Sequence, residues 1–140
     1  MLIPLPPSEG KSLPHGRGRP LDLDTLSFPE LTPTRETMLQ AAKETALLPD
    51  AVSRFQVGPS IADEVRRNLD IEELPARHAL EIYRGVLFAA LDWDSLSPVA
   101  KRRAASRLVI ISGLWGAIRP TDRIPPYRLH ICSRLAGLGP

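Results

Sequence analysis

The sequence has a single cysteine, Cys132, so neither an intramolecular disulfide nor a cysteine-based metal cluster is available to it. Long apolar runs are also missing. The richest stretches, Val86 to Leu91 and Leu108 to Ser112, fall far short of the roughly 20 residues that cross a bilayer. The N-terminus, Met1-Leu2-Ile3-Pro4-Leu5-Pro6-Pro7, lacks the basic region and extended apolar core of a secretory signal. These absences lead to the expectation of a cytoplasmic protein with no membrane partner. His15, His78 and His130 stand at no metal-ligand spacing, and there is no HExxH, Gly-x-Ser-x-Gly or zinc pattern. Metal catalysis and hydrolytic triads therefore have no support, no catalytic motif is identified, and no cofactor is expected.

What is present suits one domain over residues 1–140, with 43% apolar and 24% charged residues. Proline is abundant at 15 residues, against an average of about 5%, and it concentrates before Pro33 and between Pro120 and Pro126. Of the 18 basic residues 15 are arginine, an excess that genomic base composition explains as readily as function does. The distribution of charge is more telling. Residues 1–70 carry 8 basic and 10 acidic side chains, whereas from Ser95 onward Lys101, Arg102, Arg103, Arg107, Arg119, Arg123, Arg128 and Arg134 face a single acid, Asp122. A field of one sign favours an anionic partner, nucleic acid or a phosphorylated ligand; the alternative is a solvated helix face bridged to the acidic half.

The pattern predicts a short strand near Met1–Pro4, then a Pro/Gly-rich loop over residues 8–33. Thr34 is expected to cap a helix from Arg35 to about Leu48, with Met38, Leu39, Ala42 and Ala46 as its apolar stripe and Pro49 as its stop. Ser60 and Asp63 resemble a capping box for a second helix, Ile61 to Leu69. Ala79 to Tyr83 has strand-like content, Val86 to Leu91 reads as a helix after Gly85, and Ser97-Pro98 is a strong start for a helix reaching Ser106. Leu108 to Ile111 suits a strand buried on both faces. Helices alternating with buried strands indicate an α/β domain.

Three segments can carry chemistry. Gly10-Lys11-Ser12 matches the end of a phosphate-binding loop, but Leu5 stands where that motif needs glycine, so an ATPase is rejected; Ser8 and Lys11 remain as either ligand contacts or an ordinary polar turn. The segment Ser112-Gly113-Leu114-Trp115-Gly116 through Arg119-Pro120-Thr121-Asp122 to Pro126-Tyr127-Arg128-Leu129 starts at the carboxyl end of a strand, the side on which α/β sheets hold ligands. Arg119 and Arg128 can each present a forked guanidinium to a phosphate or carboxylate, with Asp122 to orient one of them. Trp115 and Tyr127 are either base-stacking rings or core aromatics. In the third segment, Ala79 to Leu91, apolar density makes core packing the default and leaves Tyr83, Arg84 and Gly85 as ligand contacts.

These segments together, Leu2-Ile3 through Ser8-Glu9-Gly10-Lys11, the Tyr83-Arg84-Gly85-Val86 region and Ser112 to Leu129, resemble the YaaA family of bacterial peroxide stress response proteins. The resemblance implies a mixed sheet with flanking helices and a basic cleft, binding of duplex or irregular DNA, and limitation of iron-dependent damage. It also implies a helix-hairpin-helix element, although neither Gly85 nor Gly113 precedes the small-residue pattern of such hairpins. Family chains continue beyond the Tyr-Arg-Leu segment, so a C-terminally truncated copy of the fold is expected. Three functions follow as expectations. One is non-specific DNA binding, with Lys101, Arg102, Arg103 and Arg107 on phosphates. Another is an α/β enzyme or small-ligand protein, in which Ser8, Lys11, Ser112, Gly113, Arg119, Asp122, Tyr127 and Arg128 take an anionic ligand and Tyr127 or Asp122 handles protons. The last is an inactive fragment.

Overall fold

The fold was taken from a computed structural model, which describes residues 1–138. Strand β1 (Ile3–Leu5) ends where Pro6 and Pro7 remove the amides needed to continue a ladder. The proline-rich segment that follows is less irregular than expected. It contains two short 3-10 turns, Leu23–Thr25 and Pro29–Leu31, and it is tied down where the Ala76 N–H donates to Arg19 O at 2.9 Å.

Helix α1 (Thr32–Ala46) begins two residues before the expected cap. Thr34 lies inside it and Leu31 precedes it without any side-chain cap, because Pro33 already sets the first turn and needs no amide partner. Its inward face holds Leu39, Ala42 and Ala46, as the stripe predicts, together with Arg35 and Thr45. After α2 (Ala51–Arg54), a 3-10 turn over Pro59–Ile61 leads into α3 (Ala62–Arg67). The Ser60–Asp63 capping box is not formed: Pro59 starts the turn, and no side chain caps either piece.

Strand β2 (Arg77–His78) runs into α4 (Ala79–Ile82), where strand content had suggested extended chain. Helix wins because the Ala79 N–H donates to Asp122 O at 2.8 Å and the Leu80 N–H to Pro120 O at 3.3 Å, while Ala79 and Ile82, three apart, both face the core. Helices α5 (Val86–Leu91) and α6 (Pro98–Arg107) follow as read, with Ser97 Oγ accepting from the Ala100 N–H at 3.1 Å. Strand β3 (Leu108–Ser112) lies between parallel β1 and antiparallel β4 (Gly116–Ile118), so the main sheet is mixed, and β5 (Arg123–Ile124) pairs with β2. The sheet with its helices is α/β. Burial of β3 on both faces holds except at Ile111, which is 45% exposed.

The main core joins the sheet to α1, α4 and α5 through Ile110, Trp115, Ile118, Ile82, Leu39 and Phe88. A smaller one sits under α1, α2 and α3 around Phe55 and Val65. Between sheet and α1 lies a charged residue, Arg35, only 1% exposed. Its guanidinium donates to Trp115 O at 2.8 Å, Ala117 O at 2.8 Å, Ser27 O at 2.7 Å and Phe28 O at 3.3 Å. Four carbonyls, of which Phe28 O also accepts from the Leu31 N–H at 3.0 Å, thereby satisfy a buried cation. Replacing Arg35 with Met keeps most of the side-chain volume and takes the guanidinium donors away from those carbonyls, Phe28 O keeping only the Leu31 N–H. Urea unfolding should show a loss of about 3 kcal/mol; a loss below about 1 kcal/mol would mean that water reaches them.

Candidate strand-end site

Because β1 and β3 are parallel, their carboxyl ends open on the same side of the sheet, and both functional loops leave from there. The first returns across α4. Lys11 and Tyr83 form an isolated antiparallel bridge, the Ser12 N–H donates to Ile82 O at 2.7 Å, and the Arg84 N–H donates to Gly10 O at 3.2 Å. Ser8 is used in shaping this loop: its hydroxyl donates to Gly10 O at 2.7 Å and accepts from the Arg84 N–H at 3.0 Å. Gly85 follows with φ +110°, a conformation that side chains resist.

Lys11 is thus laid over aromatic rings. Its Nζ stands 4.2 Å from the Tyr127 ring centre and 5.7 Å from that of Tyr83, and donates to Glu9 O at 3.0 Å. Burial first, and then the positive charge of Arg128, lower its pKa from 10.5 to about 7; Glu9 and Glu64 pull the other way.

The second loop supplies a row of buried hydroxyls. Tyr127 OH lies 2.7 Å from Ser112 Oγ and 2.7 Å from Tyr83 OH. Ser112 Oγ also accepts the N–H groups of Leu114 at 3.2 Å and Trp115 at 3.1 Å, which fills both of its lone pairs. Its proton therefore goes to Tyr127, the Tyr127 proton goes to Tyr83, and the Tyr83 proton is left over. Burial holds both phenols neutral, Tyr127 with a pKa pushed up to about 12 and Tyr83 well above the ordinary value.

Arg128 completes the group. Its backbone is clamped by the Asn68 side-chain amide, which accepts from Arg128 N at 2.9 Å and donates to Arg128 O at 2.7 Å. Its guanidinium reaches Glu64 at 3.1 Å, Glu9 O at 3.3 Å and the Glu9 carboxylate at 3.6 Å, and that carboxylate also meets His130 at 3.0 Å. The structure therefore brings Ser8, Lys11, Ser112, Tyr127 and Arg128 together. Gly113 lies in the turn after Ser112, beside Leu129.

Asp122 and Arg119 have other partners. The Asp122 carboxylate accepts from Ser27 N at 3.1 Å, Ser27 Oγ at 2.9 Å and Arg119 N at 2.9 Å, fastening the proline-rich segment to the β4–β5 connection. The Arg119 guanidinium donates to Ser106 O at 2.9 Å and lies 5.2 Å from the Phe28 ring centre. Sequence reasoning missed Glu64 and Asn68, which act across more than fifty residues and leave no local signal. On α6, Arg102, Arg103 and Arg107 are exposed, and Lys101 lies 5.8 Å from the Trp93 ring centre. Among the described residues none of these four makes an ion pair, and no group of three or more His, Cys, Asp or Glu side chains is placed to hold a metal ion.

A mixed α/β sheet with a lysine, tyrosine and arginine site at its parallel strand ends defines the class, and comparison with known sequences gives the family. A family described as "Peroxide stress protein YaaA" matches residues 1–139, and the chain belongs to it. A UPF0246 protein of Streptomyces coelicolor is 48% identical over 99% of this chain and 54% of its own length. One from Corynebacterium efficiens is 43% identical over 98% of this chain and 54% of its own, and one from Shewanella loihica 33% identical over 84% and 47%. The chain spans about half the length of these curated relatives.

Lys11 has a thermodynamic signature. Its pKa is lower in the folded chain than in the unfolded one, so between pH 7 and 10 the unfolded state binds more protons and stability rises with pH. Above about pH 10 the buried tyrosines act with the opposite sign, since their folded pKa values are raised. Lys11→Met should remove the rise between pH 7 and 10 in thermal melts; an unchanged rise would assign it to other groups.

Proposed function

We propose that the chain acts in peroxide stress defence in the cytoplasm by binding DNA non-specifically and so limiting iron-dependent damage. The observation that carries this reading is α6. Lys101, Arg102, Arg103 and Arg107 lie on ten residues that contain no acid, and among the described residues none of them is neutralised by an ion pair. Guanidinium and ammonium groups of this kind contact phosphates without reading bases. They also displace the condensed cations that DNA carries, and ferrous ion held on phosphates belongs to that atmosphere. Displacement of such iron from the backbone connects binding to protection. No helix of the described chain is long and apolar enough to cross a membrane.

A second reading has its own observation. Lys11 and Arg128 both donate to Glu9 O, which places two cations at the mouth of the strand-end site and suits a small ligand bearing a carboxylate or phosphate.

Fluorescence anisotropy with a labelled duplex tests the first reading. Four phosphate contacts predict that log K falls with log salt at a slope of about −3 to −4. Replacing Lys101, Arg102, Arg103 and Arg107 together with Ala should abolish most of that dependence. Absence of binding at low salt, or an unaltered slope in the fourfold variant, would refute it.

A further inference from the structure

Of the three lysines, only Lys11 stands at the strand ends. Lys43 is paired with Glu72 at 2.8 Å, and Lys101 belongs to α6. Lys11 instead borders a small recess of about 10 Å³ with Glu9, Glu64, Arg67, Pro126 and Tyr127. Three features of this position bear on reactivity. The amine lies against two phenol rings and shares a carbonyl acceptor with a guanidinium, so burial and like charge both disfavour the ammonium form. The hydroxyl row beside it ends in a spare proton on Tyr83, whose ring faces Lys11 across their backbone bridge. Finally, two carboxylates meet Arg128, Glu64 at 3.1 Å and Glu9 at 3.6 Å, and the farther one is on an exposed side chain that an incoming carboxylate or phosphate can replace.

We infer that Lys11 is the nucleophilic amine of a carbonyl-condensing site, which takes a small aldehyde or 2-oxo compound whose carboxylate or phosphate is held by Arg128. The anionic group rests on the second reading above; the reactive amine does not. The Nζ lone pair attacks the carbonyl carbon, the C–N bond forms as the C=O π bond opens, and one amine proton passes to the oxygen. Loss of that hydroxyl with the second amine proton releases water and leaves a neutral imine. Carbonyl and amine give imine and water, so neither oxidant nor reductant is needed.

The groups that set the pH dependence of Lys11 come from every side. Glu9 lies on its own loop, Glu64 and Arg67 on α3, Tyr83 at the end of α4, and Tyr127 and Arg128 on the second loop, with His130 paired to Glu9. The two carboxylates favour the ammonium, and so does the Tyr127 ring face. Burial and Arg128 outweigh them.

The test uses the 140-residue chain at pH 7 with sodium cyanoborohydride, which traps imines as stable amines. Glyoxylate is the anionic probe and propanal the neutral one, with labelling located by peptide mass spectrometry and each rate referred to Lys43 in the same sample. Lys11 should be modified at least about 10-fold faster than Lys43 and Lys101, because a far larger fraction of it is free amine. Its advantage should be greater with glyoxylate than with propanal, and inorganic phosphate should reduce the glyoxylate rate. Labelling of Lys11 no faster than of the other two lysines with either probe would overturn the inference. An equal advantage with both probes would support the reactive amine and overturn recognition of the anion, and with it the second reading.

Discussion

One buried guanidinium holds the strand-end architecture in place. Arg35 of α1 binds carbonyls of Trp115, at the end of the β3–β4 turn, and of Ala117 in β4, together with those of Ser27 and Phe28 on the segment just before α1, so a turn eighty residues away is fixed to the start of α1 by one rigid fork. The turn it holds from outside is held from inside by Ser112 Oγ, which accepts two of its amides. Fixing Ser112 fixes the direction of the hydroxyl row, and the row fixes Tyr127, the ring on which the Lys11 amine rests. Gly116 belongs to the same constraint: at φ +76°, an added Cβ would stand 3.1 Å from Leu31, just where α1 meets the turn.

Elements whose determinants are local could be read from sequence. Ser97-Pro98 contains its own cap and its own first-turn proline, and α6 starts there. The β-branched run of β3 and the helix after Gly85 are equally self-contained. Thr34, Ser60 and Ala79–Tyr83 mislead for a common reason, since prolines or carbonyls from distant segments decide where those helices begin. The candidate site divides along the same line. Parallel strand ends pointed correctly to the two loops that converge, but sequence cannot show that Asp122 is committed to Ser27, ninety-five positions away, or that Arg119 is taken up by Ser106. Arg35, read as the first residue of a helix, has no local sign of burial at all.

The two functional surfaces differ in their physics. On α6, long side chains keep their cations in water, where affinity for a phosphate lattice comes from number and fades with salt. At the strand ends, cations are partly desolvated and compete for the same acceptor, which turns charge into an altered proton affinity. Membership of the peroxide stress family is compatible with both, and the chain spans only about half of its curated relatives' length.

The central claim is that the fold makes Lys11 an amine that is partly free near neutral pH. Following the Lys11 Nζ resonance by NMR across pH 5 to 11, in the folded chain with lysine labelled by 15N, measures this directly. The account predicts a midpoint near 7 for Lys11. A midpoint near the ordinary 10.5 would contradict it, whatever the other two lysines do.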